Sequence, residues 1–403
     1  MKTHTPDTRF CGIDVAKQKH VACLIDRDGN VILRTQAFAN DADGFDRILE
    51  CLNDAGGPAN VRVAMEATGH YWLSLRDALA HAGYQVVVLN PLQTKQQAKK
   101  AIRKCKTDKI DARHIATLLK NGEQRPTLVP NDLAMTCRCL TRHRQTLVRQ
   151  QTRIKVLLRA RLHPVWPEFD TVFANPLCKT GRQILLAAPT PADLMALKPD
   201  RLVELLRTGS RGRFGPQHAQ RIRGAAERSV GIRRGLDGAR IAIQSLLRQL
   251  DAFEPILKHT EDHIAAVAER LPGYLFTLPG AQIVSAVSLY GETDPIETFH
   301  TADQLVAFAG LDMVVFQTGE YQNQQHRHIT KRGSPFLRQT LWLMARQATL
   351  TEGDLRDYYL RRKGQGLHYL SAVTATAVKL ARIVWRILTD RRDYLPKPPA
   401  KVS

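Results

Sequence analysis

The sequence lacks the features of a membrane or exported protein. It contains no stretch of about 18 uninterrupted apolar residues, which is the length that a membrane-spanning helix requires. Its N-terminus does not show the basic-then-apolar order of a signal peptide. Neither a spanning helix nor a secretory signal is indicated, and we expect a cytoplasmic protein without a membrane partner.

Paired cysteines are also missing. The chain has 7 cysteines, an odd number, and no C-x-x-C pair occurs. A zinc site or a disulfide framework requires paired spacing, so we expect reduced and mostly buried thiols. Hydrophobic residues make up 43% of the chain and charged residues 24%, which is the composition of an ordinary globular protein and excludes wholesale disorder.

Acidic residues are scarce relative to basic ones. Asp and Glu number 38 against 59 Lys and Arg, giving a formal net charge of +21. Neutralising phosphates releases condensed counterions, so this excess favours a polyanionic partner. An anionic membrane surface is the competing interpretation, and nucleic acid is favoured over it.

Residues 1–125 alternate short β-rich runs with helical ones. Helices are predicted at Asp43–Ala55 and Tyr71–Ala82. Strands are predicted at Phe10–Val15, His20–Ile25, Val31–Thr35, Val61–Met65 and Tyr84–Leu89. Three early antiparallel strands followed by strand–helix alternation is the order of an RNase H-like α/β sheet. Actin-like ATPases and sugar kinases begin in the same way, but no second glycine-rich phosphate loop is found.

Residues 126–270 predict long helices with a basic surface. No acidic residue occurs from Ala134 to His163, whereas eight cations punctuate this helical pattern. We assign four of them to nucleic-acid binding, with a solvated helix face as the alternative. These four are Arg138, Arg142, Arg149 and Arg153.

A heptad pattern follows in the same region. Apolar residues recur every seven positions from Leu236 to Leu271, which predicts a coiled-coil helix. Pro255 is expected to kink or interrupt this helix, because it removes one backbone donor and clashes with the preceding turn. The two long helices could pair within one chain or between chains.

Residues 271–395 predict a mainly α C-terminal domain, and residues 396–403 a disordered tail. The turn at Pro279–Gly280 precedes an apolar helix and resembles the hairpin of helix-hairpin-helix modules, whose amides meet DNA phosphates. Lys331 and Arg332 lie in a basic turn and are interpreted as phosphate contacts, with solvated charges as the alternative.

Four acids stand out by their positions. Asp14 and Glu66 each fall at the end of a predicted strand, in apolar surroundings where a carboxylate needs a cationic partner. Asp108 and Asp111 are three residues apart, which places both on one helix face. Carboxylates are the ligands that Mg²⁺ prefers, so the set predicts a site for Mg²⁺ or Mn²⁺ that acts on a phosphodiester.

The chain resembles the DEDD transposases of insertion sequences, the group that includes Piv-type DNA invertases. Three N-terminal blocks carry the resemblance, and four C-terminal blocks recur in the same order over nearly the whole chain. The N-terminal blocks are Gly12-Ile-Asp-Val-Ala-Lys17, Met65-Glu-Ala-Thr-Gly69 and Lys106-Thr-Asp-Lys-Ile-Asp-Ala112. The C-terminal blocks are Leu278-Pro-Gly280, Ala307-Phe-Ala-Gly-Leu-Asp312, Gln317-Thr-Gly319 and Ile329-Thr-Lys-Arg-Gly-Ser334.

The resemblance implies a RuvC-like nuclease domain, a linking coiled coil and a C-terminal transposase domain. It implies that the four acids form the family's metal-binding tetrad. Family members use a serine nucleophile where this chain has Thr318, a stiffer β-branched residue. Ser334 is the nearest alternative hydroxyl, although its setting also reads as a helix N-cap.

The predicted function is that of a transposase or site-specific recombinase that cuts and rejoins DNA. The resemblance implies donor and target duplexes and a structured guide RNA as partners, in a prokaryotic cytoplasm close to the nucleoid. A homo-oligomer, either dimer or tetramer, is expected because exchanging two duplexes needs at least two active sites. The alternatives are a junction-resolving or RNase H-type hydrolase without a covalent intermediate, and a non-catalytic coiled-coil protein that binds nucleic acid.

Overall fold

The chain forms two compact units, Met1–Val129 and Pro130–Ser403, called here the sheet unit and the helical unit. The structure is a computed structural model that describes residues 8–67, 69–89, 108–122, 130–313 and 328–396. An α/β region followed by a mostly helical one confirms this part of the predicted fold. None of the helices in the described ranges is long and apolar enough to cross a membrane.

Five strands form one mixed sheet in the sheet unit. They are β1 Arg9–Asp14, β2 Lys19–Ile25, β3 Val31–Ala39, β4 Val61–Glu66 and β5 Gln85–Leu89. The order across the sheet is β3-β2-β1-β4-β5. The first three strands are antiparallel, β4 runs parallel to β1, and β5 runs parallel to β4. β3 continues to Ala39 instead of the predicted Thr35, because its pairing with β2 extends to Lys19 opposite Ala39.

Helices cover both faces of this sheet. They are α1 Ala42–Asp54, α2 Gly57–Asn60, α3 Trp72–His81 and α4 Asp108–Asn121. α1 and α3 pack on the face that carries Cys11 and Ile13. α4 packs on the opposite face, with Phe10 and Ala64. This division follows from the alternation of strand side chains between the two faces.

The helical unit contains two long helices and ten shorter ones in its described part. Two 3-10 turns, Gly273–Thr277 and Ile296–Thr298, connect some of them. The helices are α5 Asp132–Val165, α6 Phe169–Val172, α7 Lys179–Ala187, α8 Pro191–Ala196, α9 Pro199–Ser210, α10 Pro216–Glu227, α11 Leu236–Ala268, α12 Ile283–Thr293, α13 Ala302–Phe308, α14 Pro335–Ala348, α15 Asp354–Gly364 and α16 Tyr369–Asp390.

The two long helices, α5 and α11, pair antiparallel within one chain. Arg144 of α5 binds Glu261 of α11 at 2.6 Å, near one end of the pair. Leu158 and Leu247 share a hydrophobic core near the other end. The heptad segments therefore pair inside the chain, which was one of the two alternatives from the sequence.

Pro255 does not interrupt α11, so that part of the expectation is wrong. The helix runs without a break from Leu236 to Ala268. Pro255 is exposed, so water can hydrate the carbonyl oxygen that loses its donor one turn earlier. Ile243, Leu250 and Ile264 of the heptad pattern are buried, which explains why packing holds the helix together on its other side.

Two hydrophobic cores lie at the two ends of the α5–α11 pair. One core joins the end of α5 and the start of α11 to the short helices α6–α10. The other joins the start of α5 and the end of α11 to α12–α16. Cys137 is buried in this second core, and burial raises the pKa of its thiol to about 11. The six described cysteines are all free. Three of them are buried, two are half-buried and one is exposed, so the prediction of mostly buried thiols holds for only half of them; in that order they are Cys11, Cys23, Cys137, Cys51, Cys178 and Cys139.

Candidate active site

Two of the four predicted acids lie side by side at the carboxyl ends of the inner strands β1 and β4, called here the carboxylate edge of the sheet. β1 ends at Asp14, and β4 ends at Glu66. The strands are parallel and pair Ile13 with Met65, so the next residue of each strand follows in the same register. Both acids are half-buried. The backbone register therefore brings these two positions together without any long-range loop.

The two acids belong to the sheet face that α4 covers. Strand side chains alternate between faces, so Asp14 shares a face with Gly12 and Glu66 shares a face with Ala64. Ala64 is part of the hydrophobic core beneath α4. Any group that both carboxylates bind would thus lie on the α4 side of the sheet.

Gly12 lets α4 rest directly on the backbone of β1. A Cβ atom at this position would lie 2.2 Å from the carbonyl oxygen of Ala112 and 2.3 Å from the amide nitrogen of Ala116. Only glycine permits such a close approach of two backbones. Asp111 directly precedes Ala112 and is half-buried. The close packing at Gly12 therefore fixes the distance between Asp111, the third acid, and the sheet.

α4 runs in the direction opposite to β1. The Nζ atom of Lys120 would lie 3.2 Å from a Cβ atom at Gly29, in the turn between β2 and β3. That turn lies beside the first residues of β1, because Ile25, the last residue of β2, pairs with Phe10, whereas Asp14 pairs with Val21. The first turn of α4, with Asp111, accordingly lies at the Asp14 edge. The positive end of the helix dipole favours carboxylates there.

The fourth acid, Asp108, is the first residue of α4. The helix spans both Asp108 and Asp111, so the three-residue spacing on which the prediction rests falls within one helix. The side chain of Asp108 lies outside the described part of the structure. Among the side chains that are described, no three from His, Cys, Asp and Glu are grouped so that they could hold a metal ion.

Two of the arginines predicted to bind nucleic acid contact the protein itself. The Arg138 Nε donates to the carbonyl oxygen of Gly291 at 2.6 Å, and burial lowers the pKa of this guanidinium. Arg142 donates from Nε and Nη2 to the two carboxylate oxygens of Glu292, at 2.6 and 2.9 Å. The Glu292 side chain is 1% exposed and that of Arg142 is 40% exposed. This bidentate pair fixes α5 to the end of α12.

Ser334 belongs to the same network. Its Oγ donates to Glu292 Oε2 at 2.8 Å and accepts from the amide of Leu337 at 3.2 Å. The second contact makes Ser334 the N-cap of α14, as its sequence setting predicted. Sequence reasoning did not select Glu292. The signal was present, because Glu292 is the one charged residue of α12, and a carboxylate that is buried with this helix requires a partner.

The other two predicted arginines differ from each other. Arg149 Nη2 donates to Gln339 Oε1 at 2.8 Å, and the Cζ atom lies 5.3 Å from the centroid of the Phe336 ring. Arg153 is exposed. It has no hydrogen bond or ion pair with any described residue. Arg149 is exposed too, but it shares its guanidinium with Gln339 and Phe336, whereas Arg153 has no such partner among the described residues.

Lys331 and Arg332 are both exposed, as phosphate contacts must be. The chain before them is fastened by an antiparallel bridge between Met313 and Ile329. The Lys331 amide donates to the carbonyl oxygen of Gly310 at 3.1 Å, which holds the basic turn against the end of α13. Thr318 lies outside the described residues.

The Pro279–Gly280 turn is observed, and the helix after it begins at Ile283. A Cβ atom at Gly280 would lie 2.2 Å from the carbonyl oxygen of Met344, so the turn is packed against α14. Its predicted contact with DNA phosphates remains a prediction.

The two histidines that flank the acidic blocks have different surroundings. His70 is exposed and stacks on Tyr71, with ring centroids 4.4 Å apart. His114 lines a cavity of about 460 Å³ on the α4 side of β2 and β3, together with Arg113 and Thr117.

Two family models match the chain. A model described as a transposase matches residues 11–167, which include all four acids. A second one, described as a transposase of the IS116/IS110/IS902 family, matches residues 273–360.

Individual relatives agree with these matches. The chain is 28% identical to the 44.8 kDa protein of insertion element IS116 from Streptomyces clavuligerus, over 98% of both chains. It is 31% identical to the transposase for insertion sequence element IS1111A from Coxiella burnetii, over 29% of this chain and 33% of that protein. It is 27% identical to the pilin gene-inverting protein of Moraxella lacunata, over 37% of this chain and 47% of that protein.

Proposed function

Because the chain belongs to the DEDD transposase family of insertion sequences, we propose that it is a transposase that cuts and rejoins DNA at the carboxylate edge of its sheet. The observation that carries the proposal is the register of β1 and β4, which sets Asp14 beside Glu66 under the first turn of α4. Acids near DNA phosphates are unfavourable unless a cation stands between them. A hydrolytic or transfer site explains this arrangement, whereas a purely structural sheet edge does not.

The strand order of the sheet supports our proposal that this unit is an RNase H-like domain of the RuvC type. Three antiparallel strands are followed by β4 and β5, which run in the direction of β1, and the order is β3-β2-β1-β4-β5. In parallel arrangements of this kind, ligands bind at the carboxyl ends of the strands. Asp14 and Glu66 occupy those ends.

Asp14, Glu66, Asp108 and Asp111 would hold Mg²⁺ or Mn²⁺. The donors are all carboxylate oxygens, the ligand type that these hard cations take, so the donor set fits the ion by its chemistry. The described carboxylates are not themselves grouped three together, so the proposal rests on donor type and on the register of the strands. When bound, the ion supplies charge neutralisation at the scissile phosphate. The chain's own contribution is to orient the carboxylates through strand register and through the close contact at Gly12.

For the nucleophile we propose the Thr318 hydroxyl, which stands where family members have serine. Its oxygen would attack phosphorus and lose the hydroxyl proton, and the bond from phosphorus to the leaving sugar oxygen would break. That sugar oxygen would take up one proton, so that no proton is gained or lost overall. Ser334 is the second candidate, because its Oγ already donates to the Glu292 carboxylate at 2.8 Å, as a serine does to a base. Against it, the same hydroxyl caps α14 and Glu292 is paired with Arg142.

Exposed cations would hold the nucleic acid. Arg153, Lys331 and Arg332 are open to solvent and suit phosphate contacts, in a chain with a net charge of +21. The family resemblance extends the proposal to a structured guide RNA and to a homo-oligomer that brings two active sites to two duplexes.

The carboxylate site is tested with Asp14→Asn, and Asp28→Asn serves as the matched control in the exposed β2–β3 turn. Asp14→Asn should lose strand cleavage by at least about a thousandfold and keep DNA binding, because several kcal/mol of charge stabilisation disappears without a change in bulk. Asp28→Asn should cleave like the unaltered protein. Full Mg²⁺-dependent cleavage by Asp14→Asn would remove the acid from the proposal.

The nucleophile is tested by trapping stalled reactions and mapping the DNA–protein adduct by mass spectrometry. Thr318→Ala should abolish the adduct, and Thr318→Ser should keep it and react at least as fast, because it removes the methyl group beside the attacking oxygen. An adduct on Ser334 would transfer the role to that residue. A protein that cleaves without any adduct would be a hydrolase.

A further inference from the structure

A cluster of cations surrounds one tyrosine ring on α15 and α16. The Nζ atom of Lys379 lies 4.7 Å from the centroid of the Tyr358 ring. The Cζ atoms of Arg361 and Arg362 lie 5.4 and 5.9 Å from the same centroid. These four residues are called here the Tyr358 cluster. Three positive groups therefore share one small aromatic surface.

The fold accounts for only part of this cluster. Arg361 and Arg362 lie in the last turn of α15, where the negative end of the helix dipole favours cations. Lys379 lies in the middle of α16, where neither helix end acts on it. The ring attracts each cation, but the three cations repel one another at these distances.

Within the described residues, the three cations of the Tyr358 cluster form no ion pair with an Asp or Glu. Arg362 donates one hydrogen bond to a neutral group, from Nη1 to Gln365 Oε1 at 3.0 Å. By contrast, three cations further along α16 and just beyond its end each form an ion pair. Arg382 pairs with Asp303, Arg386 with Asp390 and Arg391 with Glu297. Among the described residues, the cations of the second group therefore have acidic partners and those of the Tyr358 cluster do not.

The cluster is accessible and has aromatic neighbours. Arg361 is exposed, and Arg362 and Lys379 are half-buried. Tyr369 is 39% exposed at the start of α16 and meets Tyr359 edge-on, with centroids 6.4 Å apart. Cations beside open aromatic and guanidinium planes are the chemistry that holds phosphates and stacks unpaired bases.

We propose that the Tyr358 cluster is a binding site for the phosphodiester backbone of a nucleic-acid strand. The inference rests on the proposed function, in that the protein acts on nucleic acid, and it adds a contact surface away from the arginines of α5. The three cations lie beyond residue 360, where the match to the family model ends. An anionic strand would supply the acidic partners that the described residues do not.

The test compares two triple variants of the full chain in the Asp14→Asn background, so that no strand is cut. Arg361→Gln, Arg362→Gln and Lys379→Gln remove the unpaired charges. Arg382→Gln, Arg386→Gln and Arg391→Gln remove equal charge from cations that have acidic partners. Binding of short labelled duplex DNA, single-stranded DNA and single-stranded RNA is measured by fluorescence anisotropy over a range of salt concentrations.

The first triple should bind at least one probe about tenfold more weakly. Its slope of log affinity against log salt should be shallower by about 2, as expected for three lost phosphate contacts on a single strand. The probe that is affected identifies the strand as DNA or RNA. The second triple should change both quantities much less. Equal losses in the two triples would reduce the effect to net charge and overturn the proposal, as would no loss in the first.

Tyr358→Phe and Tyr358→Leu add a test that leaves the charge unchanged. The phenylalanine keeps the ring that gathers the cations and should bind normally, whereas leucine should weaken binding several-fold. Thermal unfolding of each variant checks that the fold is retained. Because binding is measured without cleavage, failure of the proposed chemistry at Asp14 would leave this comparison intact.

Discussion

The sheet unit and the helical unit place their charged side chains in different ways. In the sheet unit, Asp14 and Glu66 reach one edge because β1 and β4 are parallel and in register. In the helical unit, Arg142 and Arg144 of α5 bind Glu292 and Glu261, which come from other helices far away in the sequence. The first arrangement follows from the backbone alone, and the second requires the complete tertiary packing.

This difference has a functional consequence. A site built on strand ends is fixed by hydrogen bonds between strands, so it can hold acids close together for catalysis. An arginine on a long helix either binds another part of the protein or is available to a ligand, depending on what packs beside it. Arg142 binds Glu292, whereas Arg153 is exposed to solvent. A run of cations in a sequence is therefore not one uniform binding surface.

The largest effect is expected at the contact that supports the carboxylate edge. Gly12→Ala should destabilise the sheet unit by about 3 kcal/mol, because its Cβ would overlap backbone atoms of Ala112 and Ala116 that cannot move separately. Cleavage should fall as well, since α4 carries Asp111. Hydrogen exchange of peptides from β1 and α4 measures the change.

The control is Gly238→Ala in the first turn of α11, where a Cβ atom would meet nothing within 4 Å. It should leave the helical unit as stable as before or stabilise it by up to about 0.5 kcal/mol, because glycine is less costly in a first turn than in the middle of a helix. If both glycine variants behaved alike, the close approach at Gly12 would not be what holds α4 in place.

The next effect separates the arginines of α5. Arg142→Met leaves the buried Glu292 without its cation and should destabilise the helical unit by about 2 kcal/mol, less than for a fully buried pair because Arg142 is partly exposed. Arg153→Met should change stability by less than about 0.5 kcal/mol and weaken DNA binding instead. Chemical unfolding and DNA affinity are measured for both variants. A reversed pattern would contradict the division between a structural and an open arginine.

Features that depend on local sequence patterns could be predicted, and features that depend on contacts between distant segments could not. Strand order and the edge position of Asp14 follow from alternation and turn chemistry, which are local. The pairing of α5 with α11 within one chain, and the Glu292 network, depend on contacts between distant segments. Pro255 was expected to break or kink a helix that packing and hydration hold together instead. The three cations around Tyr358 come from two helices, so only the Arg361–Arg362 half of the cluster is visible in the sequence.

The smallest predicted effect is a pH dependence of the sheet unit. Burial lowers the pKa of His20, and Asn40 opposes this shift. The unfolded chain therefore binds a proton below about pH 6.5 that the folded unit excludes. The contribution of His20 to the free energy of unfolding should be constant above that pH. It should decrease as the pH drops towards the lower pKa of the folded state, by at most about 1.4 kcal/mol per pH unit.

His20→Gln should flatten this part of the pH profile. Unfolding of the sheet unit is followed by hydrogen exchange between pH 7 and pH 5, a window on the order of the histidine titration. The same slope in both proteins would show that other groups carry the dependence.

Binding of Mn²⁺ to the carboxylate edge tests the central claim most directly. Titration with Mn²⁺, with and without duplex DNA, is followed by the electron paramagnetic resonance signal of the free ion. The unaltered protein should bind Mn²⁺ in competition with Mg²⁺, and Asp14→Asn and Glu66→Gln should each weaken binding at least about tenfold. Asp28→Asn should bind like the unaltered protein. Equal Mn²⁺ binding by all four proteins would contradict a metal site at the ends of β1 and β4.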